Sequence, residues 1–247
     1  MKRFNAFLPA TAMFVILAGC SGTSTSGGSV STKEVPAEGV DFKLVAKKGD
    51  VYKYQIAMAL DGKAPAGSPP PNEMKVKLDI SQEVKVTDAA DGNFTIEVKA
   101  LDVKHSGTEP MASGMADGMK STVGKMTVDP KGKVIKQEGS VDSAMGSGGT
   151  IFFPDKKIKP GDTWEKSMPG PSGNMLAKYK FVGLEDVEGK SLAKISMTPS
   201  TEGSTMSGNF DYWIDMDTGL IVKGAGKMTS ASKETGSMAV TIDMKRQ

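Results

Sequence analysis

The chain has 247 residues and nearly balanced charge, with 31 lysines and arginines against 29 aspartates and glutamates. It holds one histidine, His105, and one cysteine, Cys20. Clustered-histidine zinc sites such as His-Glu-x-x-His are excluded, as is an internal disulfide. The absence of a basic block argues against nucleic acid as a partner.

The first nineteen residues have the layout of an export signal. Lys2 and Arg3 supply a positive start, and an apolar run follows from Ala6 to Leu17. That run is shorter than the ~20 apolar residues a lasting transmembrane helix needs, and Pro9 interrupts it. It ends in Leu17-Ala18-Gly19-Cys20, which resembles the lipobox of bacterial lipoproteins. The resemblance implies cleavage before Cys20 and acylation (palmitate among the chains) of that cysteine, which anchors the mature chain to a membrane. One acyl chain binds only marginally, whereas several hold stably. Ser21 follows the cysteine, where an Asp would resemble the inner-membrane retention pattern. In an organism with two membranes the expected place is therefore the outer membrane, facing the periplasm. With Cys20 lipidated, the folded part has no thiol for catalysis or metal binding. Losing Lys2 and Arg3 with the signal leaves 29 residues of each sign.

Residues 20–38 are rich in Ser, Thr and Gly and poor in large apolar side chains. Such a composition builds no core and reads as a flexible tether. The remainder, 39–247, is long enough for one sizeable all-β domain.

Along that remainder the main signal is alternation of period two. Tyr52, Tyr54, Ile56, Met58 and Leu60 fall on one face of Val51 to Leu60. Met74, Val76, Leu78, Ile80, Val84 and Val86 do so in the next run, with Lys75, Lys77, Asp79, Glu83 and Lys85 between them. This pattern predicts a sheet with one face on a core and one in water. Asp91-Gly92 is a strong hairpin signal, and Phe94, Ile96 and Val98 return the chain. The phase shifts at Ala100-Leu101, as a bulge would cause. Further on, Tyr179 and Phe181 lead to a turn at Glu188-Gly189, and Ala193, Ile195 and Met197 follow. Phe210, Tyr212, Ile214 and Met216 alternate with Asp211, Trp213 and Asp215, and Met238, Val240, Ile242 and Met244 close the chain.

Three signposts recur in order. Lys48-Gly49-Asp50-Val51-Tyr52 parallels Pro160-Gly161-Asp162-Thr163-Trp164. The turn from Thr87 to Asn93 parallels that from Glu185 to Lys190. Val128-Asp129-Pro130-Lys131-Gly132-Lys133-Val134 parallels Met216-Asp217-Thr218-Gly219-Leu220-Ile221. Either the domain is a degenerate duplication, with halves at about 39–139 and 155–247, or β-proteins have reused similar turns.

Ser106 to Ser121 is the least strand-like segment. Met111, Met115 and Met119 stand at spacing four, on one face of a helix, and Pro110 suits a helix start. A short helix or loop covering the sheet is expected. Soft thioethers near His105 also admit a Cu(I) site. Methionine equally suits adaptable apolar packing, and packing is the preferred reading; no metal or cofactor is assigned.

Other motifs carry little chemistry. Asp217-Thr218-Gly219 matches the aspartic-protease triplet, but only one copy is present. Asp215-x-Asp217-x-Gly219 lacks the later glutamate of a calcium loop. A hairpin turn explains both. No Gly-x-Ser-x-Gly elbow, Walker A or Gly-x-Gly-x-x-Gly loop is present, and Ser230-x-x-Lys233 lacks its companion motifs. An enzyme is not expected. Trp213 is out of phase with Tyr212 and Ile214, so it faces away from their core, either as a partner contact or on the covered outer side of the sheet.

Tyr212-Trp213-Ile214-Asp215-Met216-Asp217-Thr218-Gly219-Leu220-Ile221-Val222-Lys223 resembles a strand-turn-strand of the lipoprotein-carrier (Lol-type) superfamily. Phe152-Phe153-Pro154, with Lys159-Pro160-Gly161-Asp162-Thr163-Trp164, resembles a stretch of uncharacterised bacterial lipoproteins. The resemblance implies a curved antiparallel sheet or half-barrel whose concave face often holds acyl chains, although long helical segments are missing here. The expected fold is thus mainly β, a curved antiparallel sheet or half-barrel with a short helix or loop cover, in two similar halves if the signposts record a duplication. The expected role is a tethered envelope protein that binds an apolar ligand, such as a lipid, or a protein partner. Tyr52, Tyr54, Met58, Phe210, Tyr212 and Met216 would form the binding face, and Met111, Met115 and Met119 its cover. A copper-binding lipoprotein and a structural envelope component without small ligand are the alternatives.

Overall fold

A computed structural model describes residues 32–64, 67, 72–120, 123–139, 151–170, 173–201, 207–232 and 236–247. Cys20 and the export segment lie outside them. The chain folds as a mainly β, wholly antiparallel sheet that is not closed into a barrel.

A first meander comprises β2 (Val51–Lys63), β3 (Glu73–Ala90), β4 (Asn93–Gly107), β5 (Val123–Val128) and β6 (Val134–Gly139). A second comprises β7 (Thr163–Gly170), β8 (Gly173–Val187), β9 (Lys190–Thr201), β10 (Ser207–Asp215), β11 (Ile221–Ser232) and β12 (Gly236–Arg246). Each strand pairs with its successor, and β12 pairs with β2, which fuses the meanders into one sheet. A two-residue strand, β1 (Thr32–Lys33), pairs with the end of β8 at Leu184 and Glu185. The sheet therefore includes residues of the segment whose composition reads as tether. Main-chain pairing needs no apolar side chains, so composition does not reveal it.

The turns form where residue chemistry demands them. Asp91-Gly92 and Glu188-Gly189 all have positive φ, as a two-residue hairpin turn of the right twist requires. The lead-in turns have matching bonds. Gly49 N and Gly161 N donate to the Val86 and Phe181 carbonyls, while the Asp50 and Asp162 carboxylates accept from Lys47 N and Lys159 N. Asp129 and Asp215 likewise accept from Lys131 N and Asp217 N. The expected bulge is present, since Ser81 pairs with Asp102 and Gln82 with Ala100, leaving Leu101 outside the ladder.

The inner face carries two cores. One gathers Ile56, Leu60, Leu78, Ile80, Val84 and Val98, with α1 (Met111–Lys120) packed on its β4 and β3 side. The other gathers Phe153, Trp164, Tyr179, Phe181, Phe210 and Ile214 beneath extended chain. Two non-strand segments supply that cover. Val40 and Ile158 exchange both main-chain bonds, Leu44 N donates to Pro130 O, and Phe153 N donates to Lys131 O. Their approach requires glycine at the turns they cross. A Cβ on Gly132 or Gly219 would fall on the carbonyl oxygen of Ile151 or Lys43, and both glycines have positive φ. Between the cores, Gly224 leaves room for the Phe210 ring, whose Cζ lies 2.8 Å from where a Cβ would stand.

Candidate functional site

The inner-face residues expected to bind a ligand are mostly enclosed by the protein itself. Tyr54 and Met58 are 2% and 3% exposed in the first core, and Phe210 and Tyr212 lie buried in the second. The Tyr54 hydroxyl donates to Ile221 O at 3.0 Å, and burial pushes its pKa far up. Burial likewise raises Tyr212 well above the ordinary phenol and pushes Tyr179 up to about 12. These phenols are neutral packing groups. Tyr52 and Met216 are half-buried at the margins of the two cores. The structure therefore splits the six between two cores, and the inner face is filled by its own side chains, α1 and the segments around Phe42 and Phe153.

The methionine row does not act as one cover. Helix α1 forms where its spacing predicts, with Glu109 Oε2 accepting from Ser113 N at its start. Its buried face, however, is Ala112, Ala116 and Met119, whereas Met115 is half-buried and Met111 lies at the surface. Small alanines let a helix backbone lie close against a sheet, and that contact sets the helix rotation. His105 Nε2 lies 3.2 Å from Glu109 Oε1. Among the described residues no group of three or more His, Cys, Asp or Glu could hold a metal.

Trp213 is on the outer face, as its phase predicts, but it is 9% exposed. Its Nε1 donates to Glu185 Oε2 at 2.7 Å, and the Lys194 and Lys223 ammoniums lie 5.0 and 4.8 Å from its ring. Burial alone would lower the Lys194 pKa, but Asp211 and Glu185 hold it above its ordinary value. This polar row covers Trp213 and leaves little of it for a partner.

Asp215 is a turn residue with a second task. Its carboxylate pairs with Arg246 Nη2 at 2.8 Å and accepts from Asp217 N. Burial pulls its pKa up, but these bonds outweigh that and hold it below the usual carboxylate range. Arg246 also lies over the Tyr52 ring, 5.8 Å from its centroid. The pair ties the end of β12 to the β10–β11 turn.

Among the described residues, grooves lie open at opposite rims of the sheet. The first, about 570 Å³, lies at the rim where β2 and β11 end and β3, β10 and β12 begin, opposite the Asp91-Gly92 and Glu188-Gly189 turns. Met238 and Met74 flank Gly62 there in register, and the Met74 methyl lies over the glycine. Met238 is 38% exposed, whereas Val240 and Ile242 further along the same face are buried. Alternation placed Met74 and Met238 inward but did not show that the cover stops short of them. The second groove, about 410 Å³, lies at the turn rim beside β1 and is lined by Val35, Pro36, Ala37, Pro160, Val182 and Leu184.

No protein-family model matches the chain, and no curated protein is significantly similar in sequence. Among solved structures, one titled for lipid–protein interactions in lipovitellin aligns with 81% of this chain at 10% identity and a TM-score of 0.49. The chain spans about a quarter of that protein's length. A DUF1329 family protein from Desulfovibrio piger aligns over 80% of this chain and 84% of its own, at 13% identity and a TM-score of 0.21.

Proposed function

We propose that the protein is an exported, non-enzymatic envelope lipoprotein. It is cut before Cys20, held to a membrane by lipid there, and binds an apolar ligand or an apolar segment of a protein partner. In this reading the residues after Cys20 and before β1 tether the domain, and the sheet from β1 onward does the binding, as two similar halves. The outer membrane, facing the periplasm, is its place where two membranes exist. The open rim at Gly62, Met74 and Met238 is the binding site. The observation that carries this choice is the exposure of Met238 on a face otherwise sealed by the protein's own side chains. Methionine suits adaptable apolar contacts, and the groove volume is in the range of small-ligand sites.

The test is native mass spectrometry of the full chain, beside Met238→Asp. Acyl mass on Cys20 and a stoichiometric adduct that Met238→Asp loses are the expected results. A chain with acyl mass but no adduct rejects the small-ligand form and leaves a protein-binding or structural role. An unmodified cysteine rejects the anchor.

A further inference from the structure

We propose that the groove at the turn rim is the surface the domain lays against the bilayer. This rests on the reading that Cys20 is the lipid anchor.

The first argument is the position of the chain's exit. Only residues 21–31 separate Cys20 from Thr32, where β1 joins the sheet beside Leu184. A segment of that length spans at most about 40 Å when fully extended. Strand β3 has 18 residues, which at about 3.3 Å per residue is close to 60 Å. An anchor at Cys20 therefore holds the β1 end of the domain near the membrane, while the opposite rim can stand well clear of it.

The second argument is local and independent of the tether. Val182 sits at a bulge, because Phe181 pairs with Ile195 and Gly183 with Lys194. A bulge leaves its extra residue out of the ladder and re-aims the side chain. Val182 is left 42% exposed, between the last residue of β8 that pairs with β7, Lys180, and the first that pairs with β1, Leu184. Pro36 and Pro160 extend this apolar floor, and the exposed Lys159 stands at its edge. Apolar side chains beside lysines match the boundary between acyl chains and headgroups, and lysine stems can lie along apolar surface with their ammoniums in water.

The experiment uses the full lipidated chain on vesicles of phosphatidylcholine and phosphatidylglycerol. Since acylation occupies Cys20, a thiol introduced by Val182→Cys is unique and takes a fluorescent probe. Ala37→Cys gives a second reporter in the groove, and Asp61→Cys a control at the opposite rim; all three sites are exposed. Bromine-labelled lipids should quench the probes at 182 and 37 several-fold more than the probe at 61. Equal quenching at the two rims, or none at 182 and 37 in a chain that floats with the vesicles, overturns the proposal and leaves the anchor standing. A chain that neither floats nor carries acyl mass overturns both.

Discussion

The half of the sheet built on β2–β6 packs mostly aliphatic side chains, beneath a helix over β3 and β4 and beneath Leu44 of the extended segment, whereas the half built on β7–β11 packs more aromatic ones beneath extended chain alone. In the first, Ala112, Ala116 and Met119 of α1 join the core of β3 and β4. In the second, Phe42 stacks on Phe153 at 5.3 Å and meets Phe181 edge-on, and Trp164 stacks on Tyr179 at 5.5 Å. The turns bounding the two halves share glycine placement and aspartate bonds, so turn chemistry and core filling are separable. Turns answer to backbone conformation within a few residues, while a core answers to whatever segment happens to cover it.

The largest expected effect breaks the comparison at its cores. Phe153→Ala should cost about 4 kcal/mol, because it empties an aromatic site enclosed on all sides. Met119→Ala should cost less, about 2 kcal/mol, since the helix can settle toward the sheet. Urea unfolding of the full chain measures both. Hydrogen exchange should show loosening confined to α1 in the methionine variant, and equal global losses would mean the two covers are not distinct.

The turns should behave alike in the two halves. Gly132→Ala and Gly219→Ala each put a Cβ onto a crossing carbonyl at positive φ. Each should cost about 2 kcal/mol from the backbone conformation and the displaced crossing segment together. Unequal thermal-midpoint shifts would show that one crossing segment is held more tightly than the other.

A smaller effect depends on pH. Asp215 has its folded-state pKa held below the ordinary value, with Arg246 as the main partner. Its contribution is therefore complete above the unfolded carboxylate pKa of about 4 and is lost as pH falls through the lower folded value. Asp215→Asn should lower stability at neutral pH and flatten part of the acid decline. Urea midpoints from neutral to strongly acidic pH measure this; parallel curves for the two chains would remove the pair from the acid response.

Much of the sheet was legible because alternation is a local property. Tyr54, Ile56, Met58 and Leu60 had to share a face, and Asp91-Gly92 had to turn. The helix over 111–120 could be anticipated, but its rotation could not. Met111, Met115 and Met119 and the pair Ala112 and Ala116 define competing stripes, and only the sheet beneath selects between them. The candidate site was the least legible part. Inward direction was readable for Met58, Met74, Phe210 and Met238 alike, but nothing local distinguishes an inner residue that is sealed from one left at an open rim.

Period, phase and turn residues by themselves determined that this chain makes a one-faced antiparallel sheet, because they act over a few neighbouring residues. The tertiary structure decided what covers that face. Contacts such as Phe42 on Phe153 and Leu44 on Pro130 join residues roughly a hundred positions apart, which no period along the chain encodes. Those contacts close the middle of the sheet and leave its two rims open.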